Sequence, residues 1–228
     1  MGRIRGIILL LQFTITVAIT VCAMYLFRNH THKVIKIWMK IQIKLLGINI
    51  QTVGKIDGSC NLILMNHQSL LDIIVMEHMH HRDLAWVAKK EISDLFFFGH
   101  IIKAPRMISI DRENKAGLIH LFKEVKDRLS KDRPIAMFPE GTRSDGTKIL
   151  KFKAGAKMVA NKFKLKVQPV ILINTRNIVD SKKLTANPGT VKIIYLDAVQ
   201  ADKTTSWFED TEIAMKETFN KEMKNHVS

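Results

Sequence analysis

The residues best suited to chemistry lie where apolar runs give way to polar loops, and the first such junction is the stretch 61–72. There an apolar run ends in Asn66 and His67, and a carboxylate, Asp72, follows five positions later. A neutral imidazole takes a proton from an alcohol, and a carboxylate on its other nitrogen fixes the tautomer and stabilises the imidazolium. Positions five apart diverge by about 140° on an ideal helix, so His67 must sit on the loop before a helix for Asp72 to reach it. Ser69 as N-cap fits that geometry. The same residues, Ser69-x-x-Asp72, also read as a capping box in which Asp72 only holds the helix start. On these residues alone both readings stand.

A second junction runs from Ile135 to Ser144, where a buried run passes Phe138 and Pro139 into Glu140, Gly141, Thr142 and Arg143. Glycine lets backbone approach a ligand closely, and the planar guanidinium fork matches a phosphate. A phosphate site is the inference, with plain turn chemistry as the alternative. Between the two, Met107–Ile110 reads as a strand ending in Asp111 and a second fork-bearing residue, Arg112. Other constellations carry less. Cys60 and His67 are separated by a strand of roughly 20 Å at ~3.3 Å per residue, and no Gly-x-Ser-x-Gly elbow is present to support a covalent serine route. His78, His80 and His81 point in different directions at a helix end, so no metal is implied.

These side chains need elements to position them. Candidate strands are 49–53, 61–65, 84–88, 107–110, 134–138, 166–173 and 190–196; helical patterns fall at 69–80, 115–129, 154–162 and 211–223. Such alternation argues for an α/β fold with a mixed, largely parallel sheet flanked by helices. Ligands of such sheets bind just outside the carboxyl ends of strands, where His67 and Glu140 fall.

The amino-terminal segment has a different character. Residues 7–27 carry no charge, long enough as a helix to cross a hydrocarbon core of roughly 30 Å. In 32–46, Val34, Ile37, Trp38, Ile41 and Leu45 recur at helical spacing while Lys33, Lys36, Lys40 and Lys44 mark the other side. That pattern predicts a basic amphipathic helix at an anionic headgroup boundary, with Trp38 at interfacial depth; a helix packed on the domain is the alternative. The expected division is an anchor over 1–46 and a catalytic domain over 47–228. Of the net charge of +15, only Arg3, Arg5 and Arg28 fall in the first 28 residues; the rest is spread over the later chain and favours polyanions, an anionic bilayer or an acidic carrier protein among them. The anchor, and the lack of aromatic-interleaved basic repeats, count against nucleic acid. Two cysteines, one of them inside the apolar run, offer no disulfide framework and suit a domain facing the cytoplasm.

The order of these blocks, His67-x-x-x-x-Asp72, then Ile110-Asp111-Arg112, then Phe138 through Ser144, resembles the glycerolipid acyltransferases, and among them the 1-acyl-glycerol-3-phosphate acyltransferase branch. The resemblance implies His67 as general base and Asp72 as its orienting partner, with Arg112, Glu140, Gly141, Thr142 and Arg143 binding the glycerol phosphate. It implies a lysophospholipid acceptor, an acyl-CoA or acyl-carrier-protein donor, a membrane location and no bound cofactor. A fourth block, an apolar strand with proline, looks like Val167 to Val170. Arg106, Ser109, Lys166 and Gln168 depart from the usual pattern, so acceptor and chain preference are not carried over. The rivals are a related acyltransferase acting on glycerol 3-phosphate or another lysophospholipid, and a non-catalytic membrane-tethered basic module.

Overall fold

Strands such as Leu62–Met65 and Lys166–Ile173 are apolar at odd and even positions alike, so both faces of their sheet must be covered. The computed structural model describes residues 2–111 and 115–227; the candidate Arg112 lies outside the described residues. In chain order the elements are α1 (Gly2–Leu26), α2 (Thr31–Leu46), β1 (Ile48–Val53), β2 (Leu62–Met65), α3 (Leu71–Met79), β3 (Ala85–Lys89), α4 (Lys90–Ser93), α5 (His100–Lys103), β4 (Ile108–Ile110), α6 (Lys115–Leu129), β5 (Ile135–Met137), α7 (Ala154–Phe163), β6 (Lys166–Ile173), α8 (Thr175–Ile178), β7 (Val179–Asp180), β8 (Thr185–Ala186), β9 (Gly189–Tyr195), β10 (Val199–Gln200) and α9 (Trp207–Val227). The main sheet runs β1-β9-β6-β2-β5-β3-β4. From β6 to β4 the neighbours are parallel; β9 is antiparallel to β6 and parallel to β1. The expected mixed, largely parallel α/β sheet is present.

The period-two alternation of the strands sends side chains into two cores. Ile63, Met65, Trp86 and Leu172 face one core with Leu71, Val75 and Met76 of α3 and with Val17, Met24, Trp38 and Met39 of α1 and α2. Leu62, Leu64, Ile135 and Ile171 face the other, built with α6, α7 and α9. Each such buried side chain is worth roughly 1.5–3 kcal/mol relative to exposure.

The first two helices thus belong to the same core as the sheet, and the structure corrects one expectation about them. Trp38 is buried against Phe13 rather than set at headgroup depth, and the inward face of α2 is Ile35, Trp38, Met39, Gln42 and Leu46. Its outward face carries Ile37, Ile41 and Leu45 beside Lys33, Lys40 and Lys44, while Lys36 turns inward to the buried carboxylate of Glu77, 3.7 Å away. The helical spacing predicted the helix, but the stripe it drew is split: Trp38 turns to the core, while Ile37, Ile41 and Leu45 share the outward side with the lysines expected opposite them. α2 stops at Gly47, whose φ of 67° lets its N–H close onto the carbonyls of Ile43 and Lys44. α1 lies along the domain: Arg5 donates to the Leu46 carbonyl at 3.0 Å. Close by, a Cβ on Gly6 would sit 2.0 Å from the Leu184 carbonyl oxygen.

Candidate active site

Two loops at the carboxyl edge of the sheet meet at His67. β2 is extended past Met65 by a side chain: the Asn66 amide exchanges two hydrogen bonds with the backbone of Leu172, at 2.7 and 2.9 Å, in the manner of a strand pair. The next residue is then clamped by the loop after β5. The His67 N–H donates to Glu140 Oε1 at 2.6 Å, and its carbonyl accepts the Ser144 N–H at 2.8 Å. The second oxygen of Glu140 takes the Leu150 N–H at 2.7 Å, so this carboxyl ties three stretches of backbone together. Burial pushes Glu140 up to about 7 against the pull of its two N–H donors.

Asp72 lies in the first turn of α3 and is fully buried. Its Oδ2 accepts from His67 Nδ1 at 2.8 Å and also from the N–H groups of Gln68 and Ser69 at 2.6 and 2.8 Å. Its Oδ1 accepts the Thr175 hydroxyl. One carboxylate thus holds both the Ser69 N–H and the imidazole, a geometry open to either reading, and the helix is capped at Leu70 rather than at the expected Ser69. Ser69 supports the turn differently, accepting the Leu71 N–H and donating to the Val179 carbonyl. With Nδ1 as donor to a carboxylate, Nε2 carries the lone pair. The ring plane is set by Phe138, stacked at 3.8 Å and 11°.

His67 opens onto a cavity of about 460 Å³ whose walls are apolar, among them Phe13, Val17, Trp38, Trp86 and Ile102. Gly141, Thr142 and Arg143 line it as well, so the structure brings these three to the histidine. Thr142 and Arg143 are exposed; Arg143 donates to Ser181 Oγ at 2.9 Å. Glu140 is 1% exposed and sits behind the histidine. Sequence reasoning missed three contributors. Lys89, at the end of β3, also lines the cavity, as does Trp86, whose Nε1–H donates to Glu77 at 2.7 Å. Thr175, the partner of Asp72, is distant in sequence and carries no local signal. A β3 that ends in lysine at the carboxyl edge was the one available clue to Lys89.

This arrangement provides a base, a positioned ring, an apolar receptacle and cationic groups at its rim. Its relatives point the same way. A family model described as Acyltransferase matches residues 48–173. The chain is 42% identical over 179 residues to a Helicobacter pylori protein named 1-acyl-sn-glycerol-3-phosphate acyltransferase, covering 78% of this chain and 76% of that protein. A Brucella abortus lyso-ornithine lipid O-acyltransferase is 32% identical over 145 residues, covering 60% of this chain and 54% of its own length. The crystal structure of the 1-acyl-sn-glycerophosphate (LPA) acyltransferase, PlsC, from Thermotoga maritima superposes with a TM-score of 0.77 at 23% identity, covering 100% of this chain and 98% of that one; that likeness establishes the shared fold. The chain belongs to the acyltransferase family, within its 1-acyl-sn-glycerol-3-phosphate acyltransferase group.

Proposed function

We propose that this enzyme moves a fatty acyl group from a CoA or carrier-protein thioester to the sn-2 hydroxyl of 1-acyl-glycerol-3-phosphate, giving phosphatidic acid. The observation that carries the reading is the His67–Asp72 pair, 2.8 Å apart, at the mouth of an apolar cavity rimmed by Arg143 and Lys89. His67 Nε2 takes the hydroxyl proton as the alkoxide oxygen attacks the thioester carbonyl; the C–S bond then breaks, and the imidazolium returns the proton to the departing thiolate. Asp72 stabilises the imidazolium between those events. Arg143, with Gly141, Thr142 and Arg112, holds the acceptor phosphate, and charge-assisted bonds of this kind are the strong ones. Glu140 serves as the strut that places His67. The cavity takes an acyl chain. The route uses no metal and no bound cofactor.

The exposed side of α1 supports membrane attachment. Ile4, Ile8, Leu11, Ile15, Ile19 and Leu26 follow one another at three- to seven-residue steps and form a continuous outward stripe, while Val17, Thr20, Val21 and Met24 face the core. A helix held along its length by the domain lies in one leaflet with this stripe in lipid, and the catalytic domain 47–228 stays at the cytoplasmic surface.

Purified enzyme given lysophosphatidic acid and either thioester should yield phosphatidic acid by mass spectrometry, with His67→Ala giving none. A product formed only from glycerol 3-phosphate or from lyso-ornithine lipid would replace the assigned acceptor. No product from any acceptor would defeat the catalytic reading. Arg143→Ala should raise KM for the phosphorylated acceptor far more than for the thioester.

A further inference from the structure

From α4 to the start of α5 the chain exposes an unusual density of apolar surface. Ile92, Leu95, Phe96, Phe97 and Phe98 are 42, 51, 96, 37 and 39% exposed. Single apolar side chains on a surface are ordinary, but contiguous apolar patches mark contact with a partner or a membrane. The projection is internally braced: Gly99 N–H bonds the Leu95 carbonyl at 2.8 Å, His100 N–H the Phe97 carbonyl at 3.2 Å, and Ile101 N–H the Phe98 carbonyl at 3.1 Å. Gly99 packs so closely that a Cβ there would lie 2.1 Å from the Ser93 carbonyl oxygen. The aromatic tip is therefore presented on a closed turn.

The patch continues the outward surface of α1. His100 Nδ1 and the Tyr25 hydroxyl are 2.6 Å apart, their rings 5.5 Å between centroids, and Tyr25, Leu26 and Phe27 are themselves exposed. Exposed Lys89, Lys90, Lys103 and Arg106 flank it, with Glu91 and Asp94 as the exposed acids between them. Lys89 and Lys90 pair with Glu91 and Asp94, each at 3.8 Å, so the surplus charge of the segment is positive, and an apolar tip with such a surplus beside it complements the acyl region and anionic headgroups of a lipid leaflet. Ile92, Leu95 and Phe98 also line the cavity below His67, so the same segment forms outer surface and cavity wall.

We propose that the segment from Ile92 to Phe98 is a second membrane-inserting element, which seats the mouth of the catalytic cavity in the leaflet so that a lysolipid acceptor reaches His67 without leaving the lipid. This rests on α1 lying in that same leaflet. The test uses the full chain in a Cys22→Ser background, in which the remaining Cys60 is buried. Phe96→Cys and, separately, Ile19→Cys carry an environment-sensitive fluorophore, and vesicles of phosphatidylcholine and phosphatidylglycerol carry nitroxides in their acyl chains. Quenching at both positions is expected. Quenching at Ile19 alone overturns the proposal and leaves the α1 reading intact; quenching at neither overturns both. In parallel, Phe96→Ser should keep the parental Tm and its turnover of a monomeric short-chain acceptor, while kcat/KM for a vesicle-embedded acceptor falls about tenfold, the loss expected for one large apolar side chain. Equal effects on the two acceptors, no effect, or a dimer that dissociates on this substitution would each overturn it, the last by making the patch a contact between copies.

Discussion

Asp72 stands where two jobs converge, and its surroundings make them separable by experiment. Asparagine at this position can keep its oxygen toward the three donors that Oδ2 now serves, with its amide toward Thr175, whose hydroxyl can turn from donor to acceptor. Asp72→Asn should therefore cost only about 1 kcal/mol of stability. It removes the charge beside the imidazolium, so turnover should drop on the order of 10²–10⁴-fold. His67→Ala should be comparably inactive and the double variant scarcely slower, because residues acting as a unit are non-additive. Parallel kinetics and melting curves decide it; an Asn variant with parental turnover would reduce Asp72 to a helix cap. Glu140 gives a prediction of its own. Its folded value of about 7 lies above the ordinary 4.5, so the folded state holds this proton more tightly than the unfolded chain does. The resulting stability is complete below about pH 4.5 and is lost as pH rises through about 7. Between pH 4.5 and 8 the parent should lose about 3 kcal/mol more than Glu140→Gln in denaturant titrations, and parallel pH profiles for the two would refute the assignment.

At the scale of elements, α2 is fastened to α3 and β3 through a buried carboxylate. Glu77 accepts the Trp86 indole N–H and faces Lys36 and His32, at 3.7 and 3.8 Å. Burial pushes the Glu77 carboxyl up and the Lys36 ammonium down, the directions expected when desolvation leads. Glu77→Ala leaves the indole N–H without its acceptor and removes the ionic partner of Lys36, whose ammonium keeps only the backbone carbonyls of residues 77 and 80, and should cost about 3 kcal/mol, the low end for a broken buried pair. Lys36→Met combined with Glu77→Gln removes both charges and keeps an acceptor for Trp86, so it should recover more than half of that loss in urea unfolding. Recovery of nothing would mean that the pair is not the fastening. Trp86 lines the cavity beside Phe138, at 5.5 Å between rings, so the same fastening holds the wall next to the His67 ring.

For the whole molecule, the division at residue 46 has a physical consequence. Val17, Met24, Ile35, Trp38 and Met39 belong to the core shared with the sheet, and Phe13, Val17, Trp38 and Met39 wall the cavity. Removing 1–46 should give a protein that sediments, or that binds a hydrophobic dye and melts without cooperativity. Replacing Ile8, Leu11, Ile15 and Ile19 by serine leaves the inward face intact, so vesicle flotation should fall sharply while Tm stays near the parent. A truncated protein that melts cooperatively and turns over substrate would show that α1 and α2 are a separable anchor.

The positions of the candidate site were legible in part, because ligands of such sheets bind outside the carboxyl ends of strands, and the structure brings His67, Asp72, Glu140, Gly141, Thr142 and Arg143 together there; their roles came from the family resemblance. The strands were legible too: their apolar runs at short, regular spacing predicted each strand of the main sheet except β10, and Lys166–Ile173 at its observed limits. Local sequence also contained the uncharged length of α1 and the striping of α2. What it lacked was long-range. Thr175 reaches Asp72, Glu140 reaches the His67 backbone and Lys36 turns to Glu77 across separations that no local period encodes. An amphipathic pattern states that a helix has two sides. Only packing against the sheet decided that Trp38 would be core, that Ile37 and Ile41 would face outward, and that α1 would lie along the domain. Burial of one face is a property of the surface it meets, and that surface is assembled from residues far along the chain.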